Sequence, residues 1–146
     1  MSRVIVPLVE GFEEIEALTI VDILRRAEID VATAAVGDNP VTASHGVRVE
    51  ADTTMAAAAD DPGVEMIALP GGPGTAKLGE SAEVRALAER LYNEGHWVTA
   101  ICAAPSVLSG FGLLEGRRAT SFPAVREKME AAGVDYQEDV VVRDGP

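Results

Sequence analysis

Patterns typical of buried strands and amphipathic helices alternate along the chain. Continuous apolar runs, as in strands buried on both faces, occupy residues 4–9, 31–36, 66–69 and 97–101. Between them lie stripes of apolar residues at helical spacing, which are Ala17, Ile20, Val21, Leu24 and, later, Val84, Leu87, Ala88, Leu91. This alternation predicts an α/β fold in which a mostly parallel central sheet is flanked by helices.

Capping residues and turn signals set the ends of these elements. Acidic residues precede the first predicted helix, which ends near Ala27, while Ser81 and Gly95 bound a helix over 82–94. A helix after Cys102 is expected to end near Gly110 or Gly112. Shorter elements complete the prediction: extended pieces over 41–44 and 47–51, helices over 53–59 and 123–132, and a strand over 139–143.

Composition narrows the class of protein. The 146 residues suit a single domain over 1–146, and a net charge of −12 argues against nucleic acid or an anionic membrane as a partner. One cysteine excludes an internal disulfide, and His45 and His96 are too far apart to suggest a metal motif, so no metal is expected. Residues 1–3 carry no signal-peptide pattern and no apolar stretch is long enough to cross a bilayer, which predicts a cytoplasmic protein.

Cys102 occupies the place where a reactive cysteine is expected. A β-branched apolar run ends just before it, and Ala103, Ala104 and Pro105 then open a helix. The thiol is therefore predicted to lie on a strand-to-helix turn, where the positive end of the helix dipole favours the thiolate. The alternative is an unreactive cysteine that acts as a small buried apolar side chain.

Two further segments are predicted to lie at the same edge of the sheet as Cys102, beyond the carboxyl ends of the strands, where ligands bind in such folds. One is the 13–16 turn, in which Glu16 either faces solvent or points into the cleft. An ionised Glu16 there raises the pKa of the thiol, whereas a protonated one donates to the thiolate and lowers the pKa, so the form expected to assist Cys102 is a buried, neutral Glu16. The other is the glycine-rich turn over 71–74.

The glycine-rich turn lacks the spacing of a dinucleotide fingerprint or a phosphate loop. The N–H of Gly72 is a candidate oxyanion donor, while Gly74 is expected to need a positive φ. His45 lies between two extended pieces and is a candidate for the cleft, whereas His96 is expected at the surface. Ala103 follows the cysteine and Phe122 occupies a later turn, so a protease-like Cys–His pair is not evident.

The chain resembles the DJ-1/ThiJ/PfpI superfamily. The motifs that carry the resemblance are residues 10–16 with 22–27, 69–72 and 100–105, supported by 44–47, 122–123 and 128–129. Ala103 is similar to the DJ-1 and bacterial YajL/ThiJ branch, because the PfpI protease branch has histidine there. The resemblance implies a flavodoxin-like sandwich, also called class I glutamine amidotransferase-like, that forms homodimers and needs no cofactor.

The resemblance also implies roles for individual residues. Cys102 would be a nucleophile on a strained elbow, with Glu16 hydrogen-bonded to it and the N–H groups of Gly72 and Ala103 binding the oxyanion. Pocket candidates are His45, Gly71 and Phe122, the last being histidine in some relatives. Relatives continue with a further strand and a long helix, so we expect this C-terminal part of the family fold to be missing and apolar sheet surface to be exposed.

Two functions of different class remain open at this stage. The first is an enzyme of glyoxalase or deglycase type, in which Cys102 attacks a small reactive carbonyl and Glu16 moves a proton. The second is a redox sensor or oxidative-stress chaperone, in which Cys102 is oxidised to the sulfinic acid. A cysteine protease or amidase comes third, because no histidine follows Cys102.

Overall fold

The apolar runs form the central strands of a parallel sheet in the computed structural model, which describes residues 2–146. The strands in chain order are β1 (Arg3–Leu8), β2 (Asp30–Ala35), β3 (Val41–Thr42), β4 (Arg48–Val49), β5 (Thr53–Thr54), β6 (Val64–Leu69), β7 (Trp97–Ala100), β8 (Arg118–Ala119) and β9 (Asp135–Tyr136). The central sheet has the order β5-β2-β1-β6-β7, and every neighbouring pair in it is parallel. This confirms the predicted flavodoxin-like α/β architecture.

Helices cover both faces of the sheet. They are α1 (Glu14–Arg26), α2 (Met55–Asp60), α3 (Thr75–Glu80), α4 (Ala82–Asn93), α5 (Pro105–Gly110) and α6 (Arg126–Ala131), with a 3-10 turn over Pro123–Val125 before α6. On one face α2, α4 and α5 pack with Ile5 and Ile67 in an apolar core. On the other face α1 and the β3–β4 hairpin pack against alternate residues of β1, which include Val6 and Leu8.

A small satellite unit follows α5. Strands β8 and β9 pair in parallel, and Ala119, Met129 and Val134 form a separate apolar cluster beneath them. Partly buried Tyr136 packs against this cluster. The unit matters for the site because the chain between β8 and the 3-10 turn runs back towards Cys102.

Several short elements differ from the sequence predictions. The predicted strand over 139–143 is wrong, because these residues pair with no strand and Val140 and Val141 are 95% and 82% exposed. The predicted helix over 53–59 starts only at Met55, since the two residues before it form β5 at the edge of the sheet. Helix α3 and the short strands β8 and β9 were not predicted.

On the face of the sheet that α1 covers, an apolar groove of about 390 Å³ lies between α1 and the strands β6 and β7. Ile23 and Ile101 line it and are 57% and 46% exposed. Among the described residues, no helix is long and apolar enough to cross a membrane.

Candidate active site

Cys102 lies on a sharp turn between β7 and α5. Its φ is +62°, and Glu28 is the one other non-glycine residue within 2–146 that has a positive φ. An L-residue in this left-handed region is strained, by roughly 1–2 kcal/mol. Two backbone hydrogen bonds hold the turn: Ile101 N–H donates to Leu69 O at 3.1 Å, and Phe122 N–H donates to Cys102 O at 2.6 Å.

Glu16 reaches this turn from the start of α1. Its Oε1 accepts a hydrogen bond from Gly71 N–H at 2.8 Å. Gly71 lies directly between the two side chains, because a Cβ added there would be 2.8 Å from Glu16 Oε1 and 2.9 Å from Cys102 Cβ. The glycine is therefore needed for close approach, and it lets the carboxylate and the thiol occupy one site.

The surroundings of the thiol raise its pKa above the ordinary value. Burial is the largest cause, and the negative charge of Glu16 and a hydrogen bond to that carboxylate act in the same direction, with a further contribution from Glu13. The N–H of Ala103 opposes them and lowers the pKa. The net direction is opposite to the one expected from the helix N-terminus, because burial and the charge of Glu16 outweigh the Ala103 N–H.

One of the two predicted oxyanion donors lies against the thiol. The N–H of Ala103 faces the Cys102 sulfur, and the N–H of Gly72 donates no hydrogen bond within residues 2–146. Gly72 has a φ of +111°, which turns its peptide group out of the extended path. Gly74 does not have the expected positive φ, since its φ is −79°. A Cβ there would instead collide with the Glu10 carbonyl oxygen.

His45 does not serve Cys102 in this structure. Its side chain is 74% exposed, and its Nδ1 lies 3.2 Å from Glu14 Oε1. His96 lies beside Glu94, with Nε2 and Oε2 3.7 Å apart. Neither histidine is therefore placed as a base for the thiol. The Phe122 side chain is 51% exposed, so its backbone N–H is the part of this residue that touches the site.

Glu14 is a buried carboxylate that the sequence analysis did not single out. It accepts hydrogen bonds from Ser44 Oγ at 3.0 Å and from His45 N–H at 2.8 Å, which tie the β3–β4 hairpin to α1. Burial raises the pKa of Glu14, but these donors and its own backbone N–H outweigh burial and lower the pKa to about 2. Glu13 and Glu14 are adjacent in the sequence, and nothing in the local sequence indicates that Glu14 is the buried one.

One group of three side chains within the described residues could in principle hold a metal ion. Donor atoms of Glu13, Glu14 and His45 lie within 4.8 Å of one another. The Glu14 oxygens already accept hydrogen bonds from Ser44 and from the His45 backbone, however. These hydrogen bonds explain why the three side chains lie together, because they hold the β3–β4 hairpin against α1.

A cavity lies beside the elbow rather than over the thiol. It measures about 460 Å³, and Ala103, Ser106, Arg85 and Lys128 are among its lining residues. Cys102, Glu16 and Gly71 do not line it. The groups that meet at the elbow are the Cys102 thiol, the Glu16 carboxylate and the Ala103 N–H, which are chemically suited to addition to a small carbonyl.

Comparison with protein families matches residues 2–146 to the DJ-1/PfpI family. A deglycase of Pyrococcus abyssi is 30% identical over 98% of this chain and 86% of its own length. A glutathione-independent glyoxalase of Caenorhabditis elegans is 33% identical over 91% of this chain and 70% of its own length. The chain spans about a third of the length of two DJ-1 homologues of Arabidopsis thaliana, since it covers 33% of one and 37% of the other.

Solved structures share the fold. Drosophila melanogaster DJ-1beta superposes with a TM-score of 0.93 at 37% identity, covering 99% of this chain and 79% of its own. An oxidized form of Toxoplasma gondii DJ-1 has a TM-score of 0.90 at 35% identity, covering 98% and 78%. The resemblance seen in the sequence motifs is thereby confirmed over the whole described fold.

Proposed function

Because this chain belongs to the DJ-1/PfpI family, we propose that it is a cofactor-independent enzyme acting on small reactive carbonyls, of the glyoxalase or deglycase type. The observation that carries the proposal is the meeting of the Cys102 thiol and the Glu16 carboxylate across Gly71. Relatives named deglycase and glyoxalase support the same class of reaction.

The chemistry follows from these groups. Glu16 accepts the thiol proton as the sulfur attacks the aldehyde carbon of methylglyoxal, and the electrons of the C=O bond move to its oxygen. The N–H groups of Gly72 and Ala103 stabilise that oxyanion until the proton from Glu16 converts it to a hemithioacetal.

The next steps rearrange and release the product. Glu16 takes the proton from the former aldehyde carbon, which leaves an enediolate. The hydroxyl proton on that carbon passes to the neighbouring oxygen, and Glu16 returns its proton to the neighbouring carbon, so that the hemithioacetal becomes a thioester of lactate. Water then hydrolyses the thioester, which releases lactate and restores the Cys102 thiol. No external oxidant or reductant enters the reaction, because one carbon is oxidised as its neighbour is reduced.

The test is methylglyoxal consumption with lactate detection by the chain and by Cys102→Ala and Cys102→Ser. We expect turnover by the parent and its loss in both variants, since Cys102 is the one cysteine of the chain. Gly79→Ala is a matched small-residue control, because a Cβ there meets nothing within 4 Å. Undiminished turnover by folded Cys102→Ala would contradict the proposal.

A second function is supported by one observation. The Cys102 thiol is half-buried beside the Ala103 N–H, and the structure of Toxoplasma gondii DJ-1, to which this chain is similar, is described as oxidized. In this proposal two equivalents of peroxide convert the Cys102 thiol to the sulfinic acid and are reduced to water. Intact-mass measurement during a peroxide titration tests it, with preferential gain of two oxygen atoms expected at Cys102.

We propose a homodimer as the assembly, on the strength of the family resemblance. Exposed apolar side chains on α1, which include Ile15 at 76% and Leu18 at 38%, support self-association. Light scattering coupled to size-exclusion chromatography tests the assembly, and a monomer at micromolar concentration would contradict it.

A further inference from the structure

We propose that Tyr136 is a positioning residue for the Cys102 elbow, because its hydroxyl anchors the turn whose backbone N–H holds the Cys102 carbonyl. This inference rests on the proposed role of Cys102 as the nucleophile. Tyr136 lies outside all the motifs that pointed to the site, and it acts through Ser121 and Phe122 rather than by touching the thiol.

The contacts form a continuous chain from β9 to the elbow. Tyr136 OH donates to the Ser121 carbonyl at 2.9 Å, and the two hydroxyl oxygens of Tyr136 and Ser121 are 3.0 Å apart. Ser121 Oγ donates to the Phe122 carbonyl at 2.9 Å. Phe122 N–H then donates to Cys102 O at 2.6 Å. The Phe122 side chain is half-exposed, so these hydrogen bonds fix the turn where side-chain packing is weak.

Tyr136 is itself held firmly. It is paired with Ala119 in the β8–β9 ladder, and Gln137 N–H donates to Ala119 O at 2.8 Å. Its ring packs on the apolar cluster of the satellite unit, and the Arg126 guanidinium lies 4.7 Å from the ring centre. The satellite unit is therefore a rigid support from which the hydroxyl reaches the turn.

The geometry of one peptide group connects this support to reactivity. The carbonyl of Cys102 and the N–H of Ala103 belong to the same planar unit, so fixing the oxygen also fixes the direction of the N–H. That N–H faces the Cys102 sulfur, where it stabilises the thiolate against burial and the charges of Glu16 and Glu13. Loosening the turn lets the peptide group rotate and weakens this contact.

Tyr136→Phe tests the inference because it removes only the hydroxyl and keeps the ring under Arg126. The measurement is the rate of Cys102 alkylation by iodoacetamide as a function of pH. We expect the profile to move to higher pH and alkylation at pH 7 to slow about threefold, as for a weakened charge-assisted hydrogen bond. Glu16 and Glu13 stay in place in this variant, so their charges do not contribute to the change.

Tyr92→Phe is the matched control. The Tyr92 hydroxyl is likewise hydrogen-bonded, as the acceptor from Arg117 Nε at 2.9 Å, and the Arg117 guanidinium lies 5.1 Å from the centre of the Tyr92 ring. A general loss of stability would affect both variants, whereas a positioning role affects the pH profile of Tyr136→Phe alone. Equal profiles for the parent, Tyr136→Phe and Tyr92→Phe would overturn the inference.

Alkylation also separates this inference from the proposed enzyme, since it requires a reactive thiol but no turnover. A shifted profile in a chain that fails to convert methylglyoxal would support the positioning role and reject the carbonyl enzyme. Turnover by the parent together with an unshifted Tyr136→Phe profile would support the carbonyl enzyme and reject the positioning role. Where the parent turns over, we expect Tyr136→Phe to lower kcat and to change KM little, because Tyr136 does not touch the substrate site.

Discussion

At the scale of single residues, burial and one neighbouring carboxylate set the pKa of the Cys102 thiol. Burial raises the pKa of this thiol most, and the charge of Glu16 is the next cause. Because Glu16 raises the pKa of the Cys102 thiol, it keeps the thiol protonated in the resting protein. When a carbonyl substrate binds, the same carboxylate is expected to take the thiol proton. The same carboxylate therefore has opposite effects on resting reactivity and on turnover.

Glu16→Gln separates these two effects. Removing the negative charge lowers the pKa of Cys102, so we expect alkylation by iodoacetamide at pH 7 to accelerate several-fold. Turnover of methylglyoxal is expected to fall at least a hundredfold, since an amide cannot carry the proton. Paired measurements of alkylation rate and lactate formation check the prediction.

Glu13→Gln is the control for general electrostatics. Glu13 also raises the pKa of Cys102, but it ranks last among the causes, so its removal is expected to accelerate alkylation less and to preserve turnover. Slower alkylation in Glu16→Gln would show that Glu16 is protonated and donates to the thiolate, which contradicts the base role.

Glu14 makes folding stability depend on pH in acid. Its pKa falls from an ordinary value of 4.5 to about 2 in the folded chain. A lowered folded pKa contributes stability that is present above pH 4.5 and is lost as the pH falls towards 2. We expect Glu14→Gln to flatten the decline in the urea midpoint over this range. Asp52 leaves a residual slope, because Thr33 and Arg25 lower its pKa despite burial.

The sequence pointed to Cys102 and Gly71 because each follows a run of apolar residues typical of a buried strand, and to Glu16 because it lies in the first turn of a helix with a clear apolar stripe. Their roles remain predictions, while the structure brings the three together. The N–H of Phe122 and the hydroxyl of Tyr136 could not be found this way. Both depend on where a short irregular turn returns to the sheet, and the local sequence does not determine this.

At the scale of elements, the helices α1, α4, α5 and α6 end in the same hydrogen-bond motif, and α1 is the one that has no glycine at its left-handed position. After α4, Gly95 N–H donates to Tyr92 O and His96 N–H to Leu91 O, at 3.2 and 2.8 Å, with Gly95 at a φ of +76°. After α1, Glu28 N–H donates to Arg25 O and Ile29 N–H to Leu24 O, at 2.9 and 3.0 Å. Here the left-handed position, at a φ of +60°, is a glutamate.

Substitutions at Glu28 and at Gly95 are predicted to change the free energy of unfolding in opposite directions. Glu28→Gly relieves the left-handed strain and is expected to raise the free energy of unfolding by about 0.5–1 kcal/mol, whereas Gly95→Ala lowers it by about 1 kcal/mol. Urea unfolding measures both. Glu28→Ala keeps the strain and serves as the control, and an equal gain for Glu28→Ala would contradict the explanation.

Long periodic elements were predictable, and short ones were not. The stripe of α4 and the capping Ser81, which accepts from Val84 N–H, were both confirmed because local pattern and tertiary packing agree there. The strand predicted over 139–143 failed because β-branched residues favour a strand only where a partner strand is present. Helix α3 was missed because its six residues follow a glycine-rich turn and give too short a pattern.

At the scale of the whole molecule, parallel topology creates the site. Strands β1, β6 and β7 all end at one edge, so the segments after them bring Glu16, Gly71 and Cys102 together although they are far apart in sequence. Alternation of strands and helices was enough to predict this edge. The order of the strands and the support from the satellite unit require the three-dimensional fold.

The apolar groove between α1 and the sheet yields a prediction for the whole molecule. A groove of about 390 Å³ lined by Ile20, Ile23, Met66 and Ile101 is expected to bind the hydrophobic dye ANS in the folded state. Ile23→Lys places a charge at its rim, and we expect at least a twofold loss of dye fluorescence. Because Ile23 is 57% exposed, Ile23→Lys should change the free energy of unfolding of the protein by less than about 0.5 kcal/mol.

Ile15→Lys provides the comparison for this measurement, since Ile15 is on the same helix, is 76% exposed and does not line the groove. It should leave the dye signal unchanged. Equal losses in the two variants would assign the dye to the exposed surface of α1 in general. A selective loss in Ile23→Lys would place it in the groove, because the two substitutions add the same charge to the same helix and differ in which face they alter.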